Sequence, residues 1–81
     1  MQEDKISPVP NKLTPKTLGF PMAMAEVIDG KRIARQEWGN ADYCLLKDGW
    51  LMICRDGKFH QWLVNDGDML ATDWIVLPAL N

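Results

Sequence analysis

Few side chains in this 81-residue sequence are suited to covalent or metal chemistry. His60 is the single histidine, and Cys44 and Cys54 are the two cysteines. Beyond residue 17 the only serine or threonine is Thr72. The cysteines are too few for a disulfide scaffold and lack the spacing of a redox or zinc motif. A Cys/His metal site is not expected around a lone histidine. There is no Gly-rich phosphate loop, no HExxH pair and no nucleophile elbow. Asp66, Asp68 and Asp73 lack the calcium-loop spacing, and helix capping explains Asp66 or Asp68 better. A Cys44–His60 pair on one sheet face is conceivable, but packed cysteines are usually inert. The sequence thus reads as that of a non-enzyme with no cofactor.

The charge argues against DNA or RNA as a partner. The formal net charge is -2, whereas DNA or RNA binding normally shows as a basic patch or stripe. No apolar run approaches the length of a membrane span. The N-terminus lacks the basic-then-apolar pattern of a secretory signal. The expected compartment is the cytoplasm, with no membrane partner.

What is present divides the chain into an extended arm, residues 1–19, and one domain, residues 20–81. Pro8, Pro10 and Pro15 fall in the arm, and each lacks a backbone donor. A helix is expected over Pro21 to Ile28, with proline in its first turn and Gly30 as the left-handed stop. Strands follow at Lys31–Gln36, Asp42–Lys47, Trp50–Arg55, Lys58–Leu63 and Asp73–Leu77. Asn65 to Ala71 reads as a loop with a helical turn. Asp48-Gly49 and Asp56-Gly57 each separate two apolar runs, the strongest short hairpin signal, because both turn residues need positive φ. The fold class is α+β: a small, mostly antiparallel sheet of about five strands with one main N-terminal helix.

Two-residue turns fix the register, pairing Lys47 with Trp50, Cys44 with Ile53, Arg55 with Lys58 and Leu51 with Trp62. One face then carries Tyr43, Leu45, Trp50, Met52, Cys54 and Phe59. The other carries Cys44, Leu46, Leu51, Ile53, His60 and Trp62. Both are largely apolar, and one short helix covers only one. A small domain with an uncovered apolar face calls for self-association. The face carrying Ile53 and Trp62 is taken as the uncovered one, so Ile53→Asp is expected to disrupt assembly. The two cysteines fall on opposite faces and are expected to stay unbonded.

The four tryptophans are Trp38, Trp50, Trp62 and Trp74. Trp50 and Trp74 read as core, from their apolar strand contexts. Trp38 precedes a Gly-Asn turn, and Trp62 ends a strand. For these two, ligand contact and core packing are equally compatible with the residues alone. Lys31, Arg32 and Arg35 form a short basic run leading to Trp38, either a solvated strand edge or a phosphate-binding group.

Two blocks carry a family resemblance. Phe20 through Trp38, FPMAMAEVIDGKRIARQEW, is similar to a pattern of an aromatic, a short helix and Gly-Lys-x-Val/Ile-Ala-Arg-x-x-Trp. Trp62 through Trp74, WLVNDGDMLATDW, is similar to Trp, a short loop, then Asp-hydrophobic-Leu-Ala-x-Asp-Trp. Val64 and Asn65 stand where the pattern often has Pro-Ser. The chain resembles the second type of phage Thoeris anti-defence protein, a family of cyclic-ADP-ribose sponges. The resemblance implies a homotetramer that holds a glycocyclic ADP-ribose isomer at subunit boundaries without cleaving it, and in some relatives cyclic dinucleotides as well. It implies adenine stacking at Trp38 and Trp62, with Arg35, Asn40 and Asp68 as polar contacts. The other function in view is a phage protein-interaction or structural module, whose apolar face binds a protein.

Overall fold

The computed structural model describes residues 16–39 and 41–78. The order of elements is α1 (Phe20–Ile28), β1 (Ile33–Arg35), a 3-10 turn (Gln36–Trp38), β2 (Tyr43–Lys47), β3 (Trp50–Arg55), β4 (Lys58–Gln61), α2 (Asp66–Leu70) and β5 (Trp74–Val76). The sheet runs β4-β3-β2-β1-β5, and every neighbouring pair is antiparallel. The α+β class, the five strands and the main helix near the N-terminus are as expected. The first and last strands are shorter than expected, three residues each.

Local chemistry explains the frame. Asp48 and Gly49 have φ of 53° and 83°, and Asp56 and Gly57 of 54° and 77°. These are the paired positive values of a tight hairpin turn matched to strand twist. They set the register Lys47↔Trp50 and Arg55↔Lys58, as the sequence requires. The helix α1 ends where Gly30 takes φ of 96°. There the Lys31 N–H donates to the Glu26 carbonyl and the Gly30 N–H to the Val27 carbonyl. This doubled bond satisfies carbonyls that a helix end leaves open. The outer edge of β5 is partly closed by Leu18, which exchanges two backbone bonds with Trp74 at 2.7 and 3.1 Å. The expected arm lies mostly outside the described residues, which begin at 16.

The helix settles which sheet face is buried. Ala23 and Val27, one turn apart on α1, pack with Ile33, Cys44, Ile53, Trp62 and Trp74. The face carrying Ile53 and Trp62 is therefore the covered one, which reverses the expectation. Ile53 and Trp62 are 5% and 6% exposed. The uncovered face is that of Tyr43, Leu45, Trp50, Met52 and Phe59. Trp50, expected in the core, is 66% exposed, and Phe59 is 41% exposed. Trp74, also expected in the core, is fully buried. His60 is exposed, so Cys44, wholly buried, has no histidine sharing its environment.

The register also keeps both thiols free. Cys44 points to the helix and Cys54 to the opposite face. Burial, and then the Asp68 carboxylate, push the Cys44 thiol up to about 12, so almost no thiolate forms near neutrality. Mass spectrometry of unreduced protein should find no bond between Cys44 and Cys54. A maleimide at pH 7.5 should leave Cys44 unlabelled until denaturant is added.

Candidate functional site

The aromatic side chains converge on Trp74. Its ring centroid lies 5.4 Å from that of Trp38, 5.6 Å from Trp62 and 5.9 Å from Phe20. The Trp38 contact is edge-to-face at 84°, a geometry that a ring quadrupole favours. Trp38 reaches this position because the 3-10 turn follows β1 directly and Gly39, at φ of 69°, turns the chain away. Trp38 is half-buried.

Asp68 organises the other wall. Asn65 caps α2: its side-chain oxygen accepts from the Asp68 N–H at 2.8 Å. Asp68 Oδ2 in return accepts from the Asn65 N–H at 3.3 Å. This reciprocal pair satisfies two donors that a helix start leaves open. Asn65 is thus the N-cap and Asp68 its partner in the capping box, so of the two aspartates expected in a capping role Asp68 has one. Asp68 Oδ2 also accepts from the Trp62 indole N–H at 3.2 Å, and the Asp68 carbonyl accepts from the Trp74 indole N–H at 3.0 Å. One buried residue therefore ties two tryptophans to α2. Among the described residues, no donor reaches Asp68 Oδ1.

Between these walls lies a cleft of about 360 Å³ bordered by Trp38, Ile53, Arg55, Trp62, Asn65 and Asp68. Three of the expected site residues, Trp38, Trp62 and Asp68, are thus brought together. Trp62 borders the cleft but is only 6% exposed. Asn40 lies outside the described residues.

Arg35 is held elsewhere and does not border the cleft. Its Nε donates to Asp73 Oδ1 at 2.7 Å, and its terminal nitrogen lies 3.2 Å from Glu37 Oε1. The guanidinium stands 5.9 Å from the Trp74 ring centroid. Burial alone would raise the Asp73 carboxyl, but the Arg35 guanidinium and the Glu37 N–H outweigh it and hold it below the usual carboxylate range. A carboxyl lowered in the folded state contributes stability above its unfolded value of about 3.9, lost as pH falls through the folded value. Melting temperature should therefore fall on acidification below about pH 4, and Asp73→Asn should flatten that part of the profile.

The cation at the cleft is Arg55, a residue the sequence reading did not single out. The signal was available: two residues beyond Ile53, it shares the face of Trp62. Its Nε donates to Asp42 Oδ2 at 3.2 Å. A second and larger groove of about 540 Å³ lies at the far end of β1, between Lys31, Arg32, Leu45, Val76 and Pro78. Arg32 there covers the Tyr43 ring at 5.0 Å and donates to the Pro78 carbonyl. Of the basic run, then, Lys31 and Arg32 turn to this groove and Arg35 to Asp73. Among the described residues, no three acidic, histidine or cysteine side chains gather as a metal site. None of their helices is long and apolar enough to cross a membrane.

The architecture sets the class first: a small α+β domain with one helix on a five-stranded antiparallel sheet and an aromatic-edged polar cleft beside it. The sequence model of the Tad2-like family, the Thoeris anti-defense 2-like domain, matches residues 18–77. The chain belongs to that family. The match begins at Leu18, which bridges to β5, and so takes in α1, the whole sheet and every described residue of the cleft. No curated protein gives a significant match.

Proposed function

We propose that this protein blocks Thoeris defence by sequestration: it binds a cyclic ADP-ribose isomer, holds it intact and so withholds the signal from its host receptor. The observation that carries this reading is the cleft where Trp38, Asp68 and Arg55 meet. Such a ligand offers a flat base, hydroxyls and paired phosphates. The cleft offers an aromatic ring, an acceptor and a cation. Stacking a base on an aromatic side chain contributes roughly 1–3 kcal/mol. A cyclic ligand has already lost much of its internal freedom, so less entropy opposes capture.

In this reading Trp38 is the stacking platform, and Trp62 supports it from the core through Trp74. The uncovered sheet face joins subunits, with a homotetramer as the assembly, and cyclic dinucleotides are a second class of cargo. The exposure of Trp50 and Phe59 also suits a different protein as partner. One experiment separates these readings. The protein is incubated with glycocyclic ADP-ribose, the mixture is ultrafiltered, and the retained protein is heated. Sequestration depletes the filtrate and returns unchanged nucleotide on denaturation. A hydrolase returns a different product, and a protein-interaction module leaves the filtrate undepleted.

A further inference from the structure

We infer that the cleft takes its nucleotide in one orientation, with the phosphates on the Arg55 guanidinium and a donor group, a base amine or ribose hydroxyl, on Asp68 Oδ1. This rests on the sequestration reading and adds the residue that meets the phosphates. Unspent hydrogen-bonding capacity sets the two poles of the cleft.

A guanidinium has five N–H donors in a fixed fork. Arg35 faces two carboxylates, through Nε to Asp73 and a terminal nitrogen to Glu37, and its side chain is 17% exposed. Arg55 spends only Nε, on Asp42, and its side chain is 55% exposed. Among the described residues, no acceptor holds its two terminal nitrogens. The Asp42 contact orients the fork rather than occupying it. Two parallel donors at the mouth of a cleft match a phosphate oxygen pair, the geometry that distinguishes arginine from a point charge.

The opposite pole is Asp68. It is 7% exposed, and both of its side-chain contacts fall on Oδ2. A buried carboxylate oxygen without a donor is costly, and a ligand hydroxyl or amine would relieve that cost. A phosphate placed there would meet like charge instead. Anion below and cation at the rim therefore permit one orientation and oppose the reverse.

The test compares Arg55→Ala, Arg55→Lys and Lys16→Ala in the full chain. Lys16 is exposed, absent from the cleft and removes the same charge. Titration calorimetry uses two probes: glycocyclic ADP-ribose, and adenosine, which keeps the base and ribose but has no phosphate. Arg55→Ala should weaken the cyclic nucleotide about 10-fold or more, the scale of a hydrogen bond to a charged group, and leave adenosine unchanged. Arg55→Lys should recover part of the loss, since it restores charge without the fork. Lys16→Ala should do nothing. Equal loss for both probes, or full affinity for the cyclic nucleotide in Arg55→Ala, would overturn the assignment while leaving sequestration standing. Wild-type protein that binds neither probe would overturn both.

Discussion

Trp62→Ala is expected to cost about 3–5 kcal/mol of stability. In a domain this small each kcal/mol moves the melting temperature by about 4–8 °C, so the melt should fall by at least 12 °C or so. The indole sits edge-to-face on Phe20 at 6.2 Å, contacts Trp74 at 5.6 Å and donates to Asp68. Truncation therefore opens a cavity under α1 and strips the buried Asp68 of a donor in the same step. Trp62→Phe should recover the packing but not the hydrogen bond, and fall between. Trp38→Ala makes the contrast. Trp38 is half-buried and touches the cluster from its rim, so its removal should lower the melt far less. If Trp38 is the stacking platform, it should weaken capture of a cyclic ADP-ribose isomer roughly 10-fold or more. Differential scanning fluorimetry and calorimetry on the two variants read both quantities. A Trp62→Ala protein that melts with the wild type would remove this ring from the core. A Trp38→Ala protein with full affinity would remove the other from the site.

The two roles exchanged between Trp62 and Trp50 show where the sequence is legible and where it is not. Both Asp-Gly turns were readable, because paired positive φ is a local demand that few residues meet. With them came the register of β2, β3 and β4 and the list of residues on each face. Which face meets α1 was not readable. Both faces are apolar, and a period of two carries no information about which side a distant helix will occupy. The choice is made by contacts far apart in sequence: Ala23 and Val27 on Ile33, Cys44 and Trp74. The candidate site followed the same division. Asn65 and Asp68 stand at capping-box spacing, a pattern present in the chain itself. Arg35 and Arg55 are indistinguishable as letters, and only the positions of Asp73, Glu37 and Asp42 show which one keeps donors to spare. Two motif blocks were enough to place the family, and of their residues Trp38, Trp62 and Asp68 border the cleft.

Ile53→Asp should abolish folding rather than assembly, and Trp50→Asp should abolish assembly rather than folding. Ile53 is 5% exposed beneath α1, among Cys44, Trp62 and Trp74. A carboxylate there would be buried among apolar side chains, while the neighbouring cation, Arg55, keeps its side chain 55% exposed and bound to Asp42. A poorly compensated buried charge costs about 3–5 kcal/mol, enough to unfold a small domain. Trp50 ends the β2–β3 hairpin on the opposite face with most of its ring in solvent. In a monomer its replacement removes little packing, so the melting profile should keep a single cooperative transition. In an oligomer joined through this face, a tryptophan at the contact is the residue type that most often dominates binding energy, at about 2 kcal/mol or more. Two-fold symmetry would use it twice in each interface. Light scattering should then find wild-type protein at a multiple of the 9.2 kDa chain mass, four-fold if the assembly is a tetramer. It should find Trp50→Asp at the chain mass with its circular dichroism retained. Phe59→Asp, on the same face one strand further out and 41% exposed, should act in the same direction. If Trp50→Asp and Phe59→Asp both keep the wild-type mass, subunits meet through another surface. The exposed edge of β4 would be next, since its residues 58–61 are all exposed and a bare edge strand readily pairs with a second chain.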